Sequence, residues 1–533
     1  MKMPLSLPQT AFRSVAGAKL LLALMCFCAA SAAPPNMVFI LSDDLGFGEL
    51  SIQPRGAGNN RNITTPNIDA LFESGISFTD AYCGEAVCAP SRNALMTGQH
   101  TGHTWIRGND AGPDGHGLPL RPTDTTFFEL LRGVGYHVSC VGKWSMGWWN
   151  SSGAPDTRCD DYFGVVDQAY AHNMYPSPSD EGFVWRYPAA DGTLRPEEVT
   201  YPANVNASRD RCMAPGNDCV WIHDEFVAAA LRAVSAQAAR ERAALEQGSA
   251  APAPLFLYLA LTDPHAGGWG GEVESGNPVP SDDGPARSYS NETSWPLAER
   301  DHASVISNFQ DESVGQIVAL LESSGMREHT AVYFASDNGA SNEGGSAANG
   351  YHDYMFFESS GPLRGFKRCL TEGGIRTAFA VSWPGTIAAR SSSNYTVAFW
   401  DLLPTIAELG GVPASALPAN IDGVSFAPTL LGRPEAQVTH PPLYWEFCTA
   451  AHPPGVSRKG VGWAHAMRNG TWKAVSFFSN APLELYDLAV DVGETNNVAA
   501  DHPDVIAAFE AFAKAAHEDN PHWPVGDAKC NSS

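Results

Sequence analysis

The chain alternates short, uninterrupted apolar runs with longer stretches in which apolar residues recur every three or four positions. Met37-Val38-Phe39-Ile40-Leu41 opens the series and has no polar face, the pattern of a strand buried on both sides. Thr65 predicts a helix cap, with Pro66 at the first helical position and Ile68, Leu71 and Phe72 on one face. A helix over Thr125 to Leu131, ended by Gly133 and Gly135, leads into the strand His137-Val138-Ser139-Cys140-Val141. An Ala-rich helix from His223 to Glu246 precedes the apolar run Leu255 to Leu261. Ile306, Phe309, Val314, Ile317, Val318 and Leu321 mark a helix that feeds the strand Ala331-Val332-Tyr333-Phe334, and another helix covers Phe399 to Leu409. Strands alternating with helices predict an α/β layer fold around a large, mainly parallel sheet. Residues 147–220 and 266–300 are rich in Gly, Pro and Ser and read as long loops of the kind that wall a cleft. The pattern changes near Gly410–Asp422. The expected organisation is a leader over 1–32, a main domain over 33–415 and a C-terminal subdomain over 416–533.

Four of the strands run straight into polar residues. They end in Ser42-Asp43-Asp44, Gly142-Lys143-Trp144, Thr262-Asp263-Pro264-His265 and Ser336-Asp337-Asn338-Gly339. Open α/β sheets place their ligand crevice at the carboxyl ends of strands, so these clusters are expected to converge. Asp43, Asp44, Asp337 and Asn338 offer hard oxygen donors, a set that suits Ca2+, and less well Mg2+, ahead of zinc.

Composition narrows the classes of function. A formal net charge of −25 without any basic run excludes a nucleic-acid binder. Lys2, Arg13 and Lys19 precede the apolar run Leu20 to Cys28, and Ala30-Ser31-Ala32 offers a cleavage site. That is a secretory signal, too short to span a bilayer, and it predicts a secreted or secretory-pathway protein with no membrane span. Sequons at Asn62, Asn150, Asn206, Asn291, Asn394, Asn469 and Asn531 fit that route. Of eleven cysteines, Cys26 and Cys28 leave with the signal. Nine remain, an odd number for an oxidising compartment. With Cys88 set aside, the other eight suffice for four bridges, and Cys212 with Cys219 would close a small loop.

Cys88 lies in Cys88-Ala89-Pro90-Ser91-Arg92, which resembles the signature of the type I sulfatases. The resemblance runs in family order through Asn36–Gly46, Thr65-Pro66-Asn67-Ile68-Asp69, Gly142-Lys143-Trp144, Ser336-Asp337-Asn338-Gly339, Gly361–Lys367, Glu372-Gly373-Gly374-Ile375-Arg376 and Leu485-Tyr486-Asp487-Leu488. It implies an alkaline-phosphatase-like α/β fold with a mixed, mainly parallel sheet and a small C-terminal α+β subdomain carrying an antiparallel sheet. It further implies that a formylglycine-generating enzyme oxidises Cys88 during maturation, and that the aldehyde hydrate attacks sulfur. The spare hydroxyl of a hydrate lets sulfate leave with the carbonyl regenerated, dividing the reaction into two easier steps. Asp43, Asp44, Asp337 and Asn338 would hold Ca2+, which also meets residue 88. Arg92 would orient the hydrate, Lys143 and Lys367 would neutralise the sulfuryl group, and His265 would protonate or hydrogen-bond the departing oxygen. The implied substrate is a sulfated small molecule or polysaccharide, and the implied destination is extracellular, cell-wall or lysosome-like.

One position departs from the pattern. Most sulfatases continue Gly-Lys-Trp with a histidine that acts in sulfate expulsion; here Ser145 follows. The chain is similar to a polysaccharide-degrading subgroup that also lacks this histidine and shares the stretches His100–Asn109 and Asp167–His172. On that likeness His172, or else His103, supplies the missing imidazole. Two other readings stay open: a phosphodiesterase or phosphonate hydrolase of the same superfamily, and an inactive sulfate-binding homologue. Trp148, Trp149, Trp269 and Trp295 are read as sugar platforms or as structural anchors.

Overall fold

The computed structural model describes residues 34–54, 63–109, 116–168, 170–177, 184–212, 214, 216–268, 276–280, 289–348, 350–456, 460–527 and 530. The leader, Asn62, Trp269 and Asn531 lie outside them.

Five strands form a parallel core: Asp161–Val165, His137–Lys143, Leu255–Pro264, Asn36–Asp43 and Thr330–Ser336, side by side in that order. On the far side of Thr330–Ser336 follow Phe379–Ser382, antiparallel to it, then Ile76–Phe78, which reverses again to run with the core, and then Ser391–Ser393. Beyond Asp161–Val165 come Val184–Tyr187, antiparallel to it, and Glu197–Val199, antiparallel in turn to Val184–Tyr187. The result is a mixed ten-stranded sheet. Alternate residues of the first strand bury in opposite directions. Met37, Phe39 and Leu41 pack with Phe127, Phe128, Leu131, Tyr258 and Tyr333 on one face. Val38 and Ile40 pack with Ile68, Leu71, Phe226, Ile306 and Ile317 on the other. Burial on both faces is why that strand carries no polar alternation.

The helices follow the expected periods with instructive differences. Pro66–Glu73 starts at Pro66, but the Thr65 hydroxyl donates to Asp69 instead of capping it. The backbone N–H groups of Asn67 and Ile68 donate to the Asp311 carboxylate, at 3.0 and 2.8 Å. Asp311 therefore caps a helix far from it in sequence. The helix before Thr330–Ser336 begins earlier than its apolar pattern indicated: Leu297–Ser304 passes through a π-helical turn, Val305–Gln310, into Asp311–Ser323. That turn brings Gln310 Nε2 to Ser42 Oγ at 2.6 Å and to the Asp263 carbonyl at 3.0 Å. The 147–220 stretch is not all loop, since it supplies three strands of the sheet.

A four-stranded antiparallel sheet, Leu443–Thr449, Gly462–Asn469, Trp472–Ser476 and Glu484–Asp487, forms the C-terminal region. Its inner face shares a hydrophobic cluster with Tyr82, Ala86, Val87 and Trp400. Trp445 Nε1 donates to the Cys83 carbonyl at 3.0 Å, so this sheet braces the loop leading to Cys88.

Three disulfides form: Cys140–Cys159, Cys212–Cys219 and Cys448–Cys530. Cys83 and Cys369 are buried free thiols, one bridge fewer than the cysteine count permits. Among the described residues no helix is long and apolar enough to cross a membrane.

Candidate active site

The polar residues at the four strand ends meet, as the sheet topology requires. Gly142 makes one part of the convergence possible: its φ is +97° and a Cβ there would lie 1.9 Å from the Ala260 carbonyl oxygen. Only glycine lets the neighbouring strands approach so closely while Lys143 turns into the site. Cys88 is the first residue of the helix Cys88–Thr97, and Arg92 lies on the same helix face one turn later. Asn109 Oδ1 accepts from the Ala89 N–H at 3.0 Å, satisfying one of the free donors at that helix start.

Asp43, Asp44, Asp337 and Asn338 are all fully buried. Lys143 Nζ lies 2.6 Å from Asp43 Oδ2, and the Cys88 thiol donates to Asp43 Oδ1 at 3.3 Å. Arg92 Nε donates to Asp337 Oδ2 at 2.9 Å, and another of its nitrogens is 3.4 Å from Asp43. Lys367 Nζ donates to Asp44 Oδ2 at 2.7 Å and to His265 Nε2 at 2.9 Å. Asn338 Nδ2 donates to Asp44 Oδ1 at 2.7 Å, and the Asp44 N–H donates to Asp337 Oδ1 at 3.2 Å.

Burial alone would raise the Asp43 carboxyl, but Lys143 and Arg92 outweigh it and hold it well below the usual range. Asp337 is pushed up to about 6, first by burial and then by Asp43. Three buried cations, Arg92, Lys143 and Lys367, face the three carboxylates of Asp43, Asp44 and Asp337. The Asn338 Oδ1 is buried without a hydrogen-bond partner. An oxygen-rich donor set and one orphaned oxygen fit a hard dication.

Burial, and next Asp43, push the Cys88 thiol up to about 12. As a cysteine it stays protonated and is a poor nucleophile.

His265 Nδ1 lies 2.7 Å from the Ala266 carbonyl, which accepts only, so Nδ1 carries the hydrogen. Nε2 is left to receive the Lys367 ammonium, and Asp44 is 3.4 Å away. Burial is the main cause that pushes His265 down to about 4. His172 lies face to face with it, ring centres 3.8 Å apart and 7° from parallel. The His172 Nε2 is buried and unpartnered, and burial with the His265 charge holds its pKa well below the ordinary value.

His103, the alternative imidazole, is elsewhere. Its Nδ1 bonds both oxygens of Asp422, at 2.9 and 3.0 Å, and its ring stacks on His100. It came into consideration as a member of the His100–Asn109 stretch, but the His100–His103 turn packs against the 418–442 loop, where the Asp422 N–H bonds the Gly98 carbonyl. Ser145 has φ +64° and a buried, unpartnered hydroxyl. Trp149 is buried and Trp295 packs against Phe356 and Phe357, so both anchor structure. Trp148 is half-buried and stacks on His116 at 4.3 Å.

Sequence reasoning passed over Asn109, Glu343 and Arg368. Glu343 Oε2 accepts from Lys367 Nζ at 3.1 Å, and Arg368 pairs with the other oxygen. Arg368 follows Lys367 directly, the one signal that could have found it.

A helix-borne residue 88 set among buried carboxylates and cations, at the strand ends of a doubly covered parallel sheet, defines a hydrolase of anionic esters. The sulfatase family profile matches residues 35–412, and a profile for the C-terminal part of N-sulphoglucosamine sulphohydrolase matches 365–514; the chain belongs to the sulfatase family. It is 29% identical to human arylsulfatase A over 517 residues, covering 90% of this chain and 87% of the relative. With rat steryl-sulfatase it shares 27% over 522 residues, 87% of this chain and 80% of the relative. Among solved structures, Ps i-CgsB in complex with k-i-k-neocarrahexaose superposes with a TM-score of 0.64 at 23% identity, covering 91% and 93% of the two chains. The PsFucS1 sulfatase from Pseudoalteromonas sp. gives 0.62 at 22%, covering 91% and 90%. The protein is a sulfuric ester hydrolase.

Proposed function

We propose that this sulfatase hydrolyses sulfate esters of carbohydrates through a formylglycine made from Cys88, assisted by Ca2+ at Asp43, Asp44, Asp337 and Asn338. The observation that carries the reading is the position of Cys88, at a helix N-terminus and 3.3 Å from Asp43 beside Lys143. The k-i-k-neocarrahexaose in complex with Ps i-CgsB and the D-glucosamine-2-N,6-O-disulfate substrate bound by another neighbour of the same fold support a sugar substrate. When converted, residue 88 supplies a hydrate oxygen for attack and a second hydroxyl for release of sulfate. When bound, Ca2+ supplies Lewis-acid polarisation of a sulfate oxygen.

The chain's own residues do the rest. Arg92 holds Asp337 and spans to Asp43, fixing the carboxylates that frame residue 88. Lys143 and Lys367 set two fixed cations where the sulfuryl group develops charge, in a site emptied of bulk water. The proton for the departing oxygen belongs to the Lys367–His265 couple, since His265 Nδ1–H is committed to the Ala266 carbonyl and Nε2 faces Lys367. His172 backs His265 and, as the imidazole in place of Ser145, takes the proton released when sulfate is expelled. Residues 33–415 form the catalytic part, with 416–533 as a bracing subdomain. The three disulfides, and the exposure of Asn150, Asn206, Asn291, Asn394 and Asn469, support maturation in a secretory compartment.

Peptide mass spectrometry across Cys88, on protein from a eukaryotic secretory host, tests the nucleophile. Turnover of an aryl sulfate, a phosphate monoester and a phosphodiester tests the ester class. An unmodified thiol from a host that converts a control sulfatase, or a phosphodiester preferred to the sulfate, overturns the reading.

A further inference from the structure

One carboxylate is out of keeping with a site for anions. Glu343 Oε2 lies 3.1 Å from Lys367 Nζ and 3.8 Å from His265 Nε2, and Oε1 pairs with Arg368. Asp43 and Asp44 have no side-chain exposure, whereas Glu343 keeps 21% and Arg368 29%. The pair therefore reaches solvent next to Lys367 and His265, the residues assigned above to the departing oxygen.

Both partners are anchored at the backbone. Arg368 sits at φ +70°, a left-handed conformation unfavourable for a non-glycine residue, and its N–H donates to the Ala86 carbonyl at 2.8 Å. Ala86 is two residues before Cys88, so the guanidinium is referenced to the nucleophile. The Glu343 N–H donates to Ser341 Oγ at 3.2 Å, and Gly344 and Gly345 follow at φ +114° and +88°. That backbone turns sharply away and leaves the carboxylate at the rim.

The geometry points to Glu343 and Arg368 as a specificity-determining pair that reads a free hydroxyl on the carbon next to the sulfated one. A carboxylate only accepts hydrogen bonds and a guanidinium only donates them. A hydroxyl does both, so one hydroxyl laid against the solvent-facing edge of the ion pair can donate to Glu343 and accept from Arg368. A second sulfate at that position would set an anion against Glu343, and an aryl group would leave the pair unused. An analogue lacking that hydroxyl forgoes hydrogen bonds to two charged groups. This assignment rests on the carbohydrate reading above.

The test compares kcat/KM for the best monosulfated hexose of a panel, for its analogue deoxygenated at the neighbouring carbon, and for an aryl sulfate. Wild type, Glu343→Gln and Arg368→Gln are measured alike. A hydrogen bond to a charged group leads us to expect the wild type to favour the hydroxylated sugar by about 10- to 100-fold. That preference should shrink to within a few-fold in Glu343→Gln, whose relative use of a vicinal disulfate should rise. Because the readout is a ratio within each protein, partial loss of folded enzyme does not mimic it. An unchanged preference in both variants overturns this assignment alone. Turnover of aryl sulfate with none of the sugars overturns it together with the carbohydrate reading.

Discussion

Replacing Glu85 by Gln should make the protein more stable, and only above acid pH. Glu85 lies three residues before Cys88, with no exposed surface. Its Oε1 accepts from the Ala86 N–H at 2.8 Å, while Oε2 is buried without a partner. Burial raises the carboxyl from its ordinary 4.5 to about 8, with the Glu446 charge a lesser contribution. The folded state therefore keeps the proton while the unfolded chain loses it. For a group raised in the folded state, the stability is fully present below the unfolded value and is lost as pH rises through the folded one. The window here runs from about pH 4.5 to about pH 8. Each pH unit across it removes about 1.4 kcal/mol, roughly 5 kcal/mol in all.

Glutamine has the same shape, keeps an acceptor for the Ala86 N–H and cannot ionise. Its advantage should be close to zero at pH 4.5 and should grow steadily to pH 8, then level off. For a chain of roughly 500 ordered residues that energy corresponds to about 5 °C in Tm. Thermal unfolding of wild type and Glu85→Gln in parallel from pH 4.5 to 9 measures the difference, and every other titrating group cancels between the two. A constant offset across this range, or a variant less stable at pH 8, would refute the buried neutral acid.

Three further outcomes test the site itself. Lys143→Ala removes the ammonium 2.6 Å from Asp43 and should lower kcat on an aryl sulfate by about 100- to 1,000-fold; retention of full turnover would remove Lys143 from the reaction. Chelation should abolish activity and lower Tm, with Ca2+ restoring both, and Asn338→Ala should require more Ca2+ for the same Tm gain; a Tm indifferent to chelator and Ca2+ would exclude a resident dication. His172→Ala should slow turnover whereas His103→Ala, which loses the Asp422 bond, should lower Tm and leave turnover intact; the reverse result would exchange their roles.

The parts of this molecule legible in its sequence are those where one physical demand acts on consecutive residues. Val38 and Phe39 face opposite layers of the sheet, so both must be apolar, and the run announces the strand. Asp43, Lys143, His265 and Asp337 stand where their strands stop, and parallel strands all stop at the same edge. Their convergence followed from topology before any contact was known. What stayed hidden depends on pairings across the fold that leave no local trace. The Asp311 cap on Pro66–Glu73 joins residues 244 apart. Asp161–Val165, Val184–Tyr187 and Glu197–Val199, the last three strands toward one edge of the sheet, are three to five residues long, too short for a period to emerge. Cys83 and Cys369 counted as half-cystines because arithmetic sees only number, yet one thiol donates to the Ser336 carbonyl at 3.4 Å inside the core. The choice between His172 and His103 had the same character: both are loop imidazoles in similar surroundings, and only the fold lays one of them 3.8 Å over His265. Glu343 is the clearest case. A lone acid before two glycines reads as a turn, and its place at the rim depends on Lys367 and Arg368 arriving from a segment more than twenty residues away. Of the residues proposed to act at the sulfuryl group, Lys143 and His265 are fixed by strand ends, whereas the pair proposed to meet the rest of the substrate sits on loops, where sequence pattern carries chemistry without position.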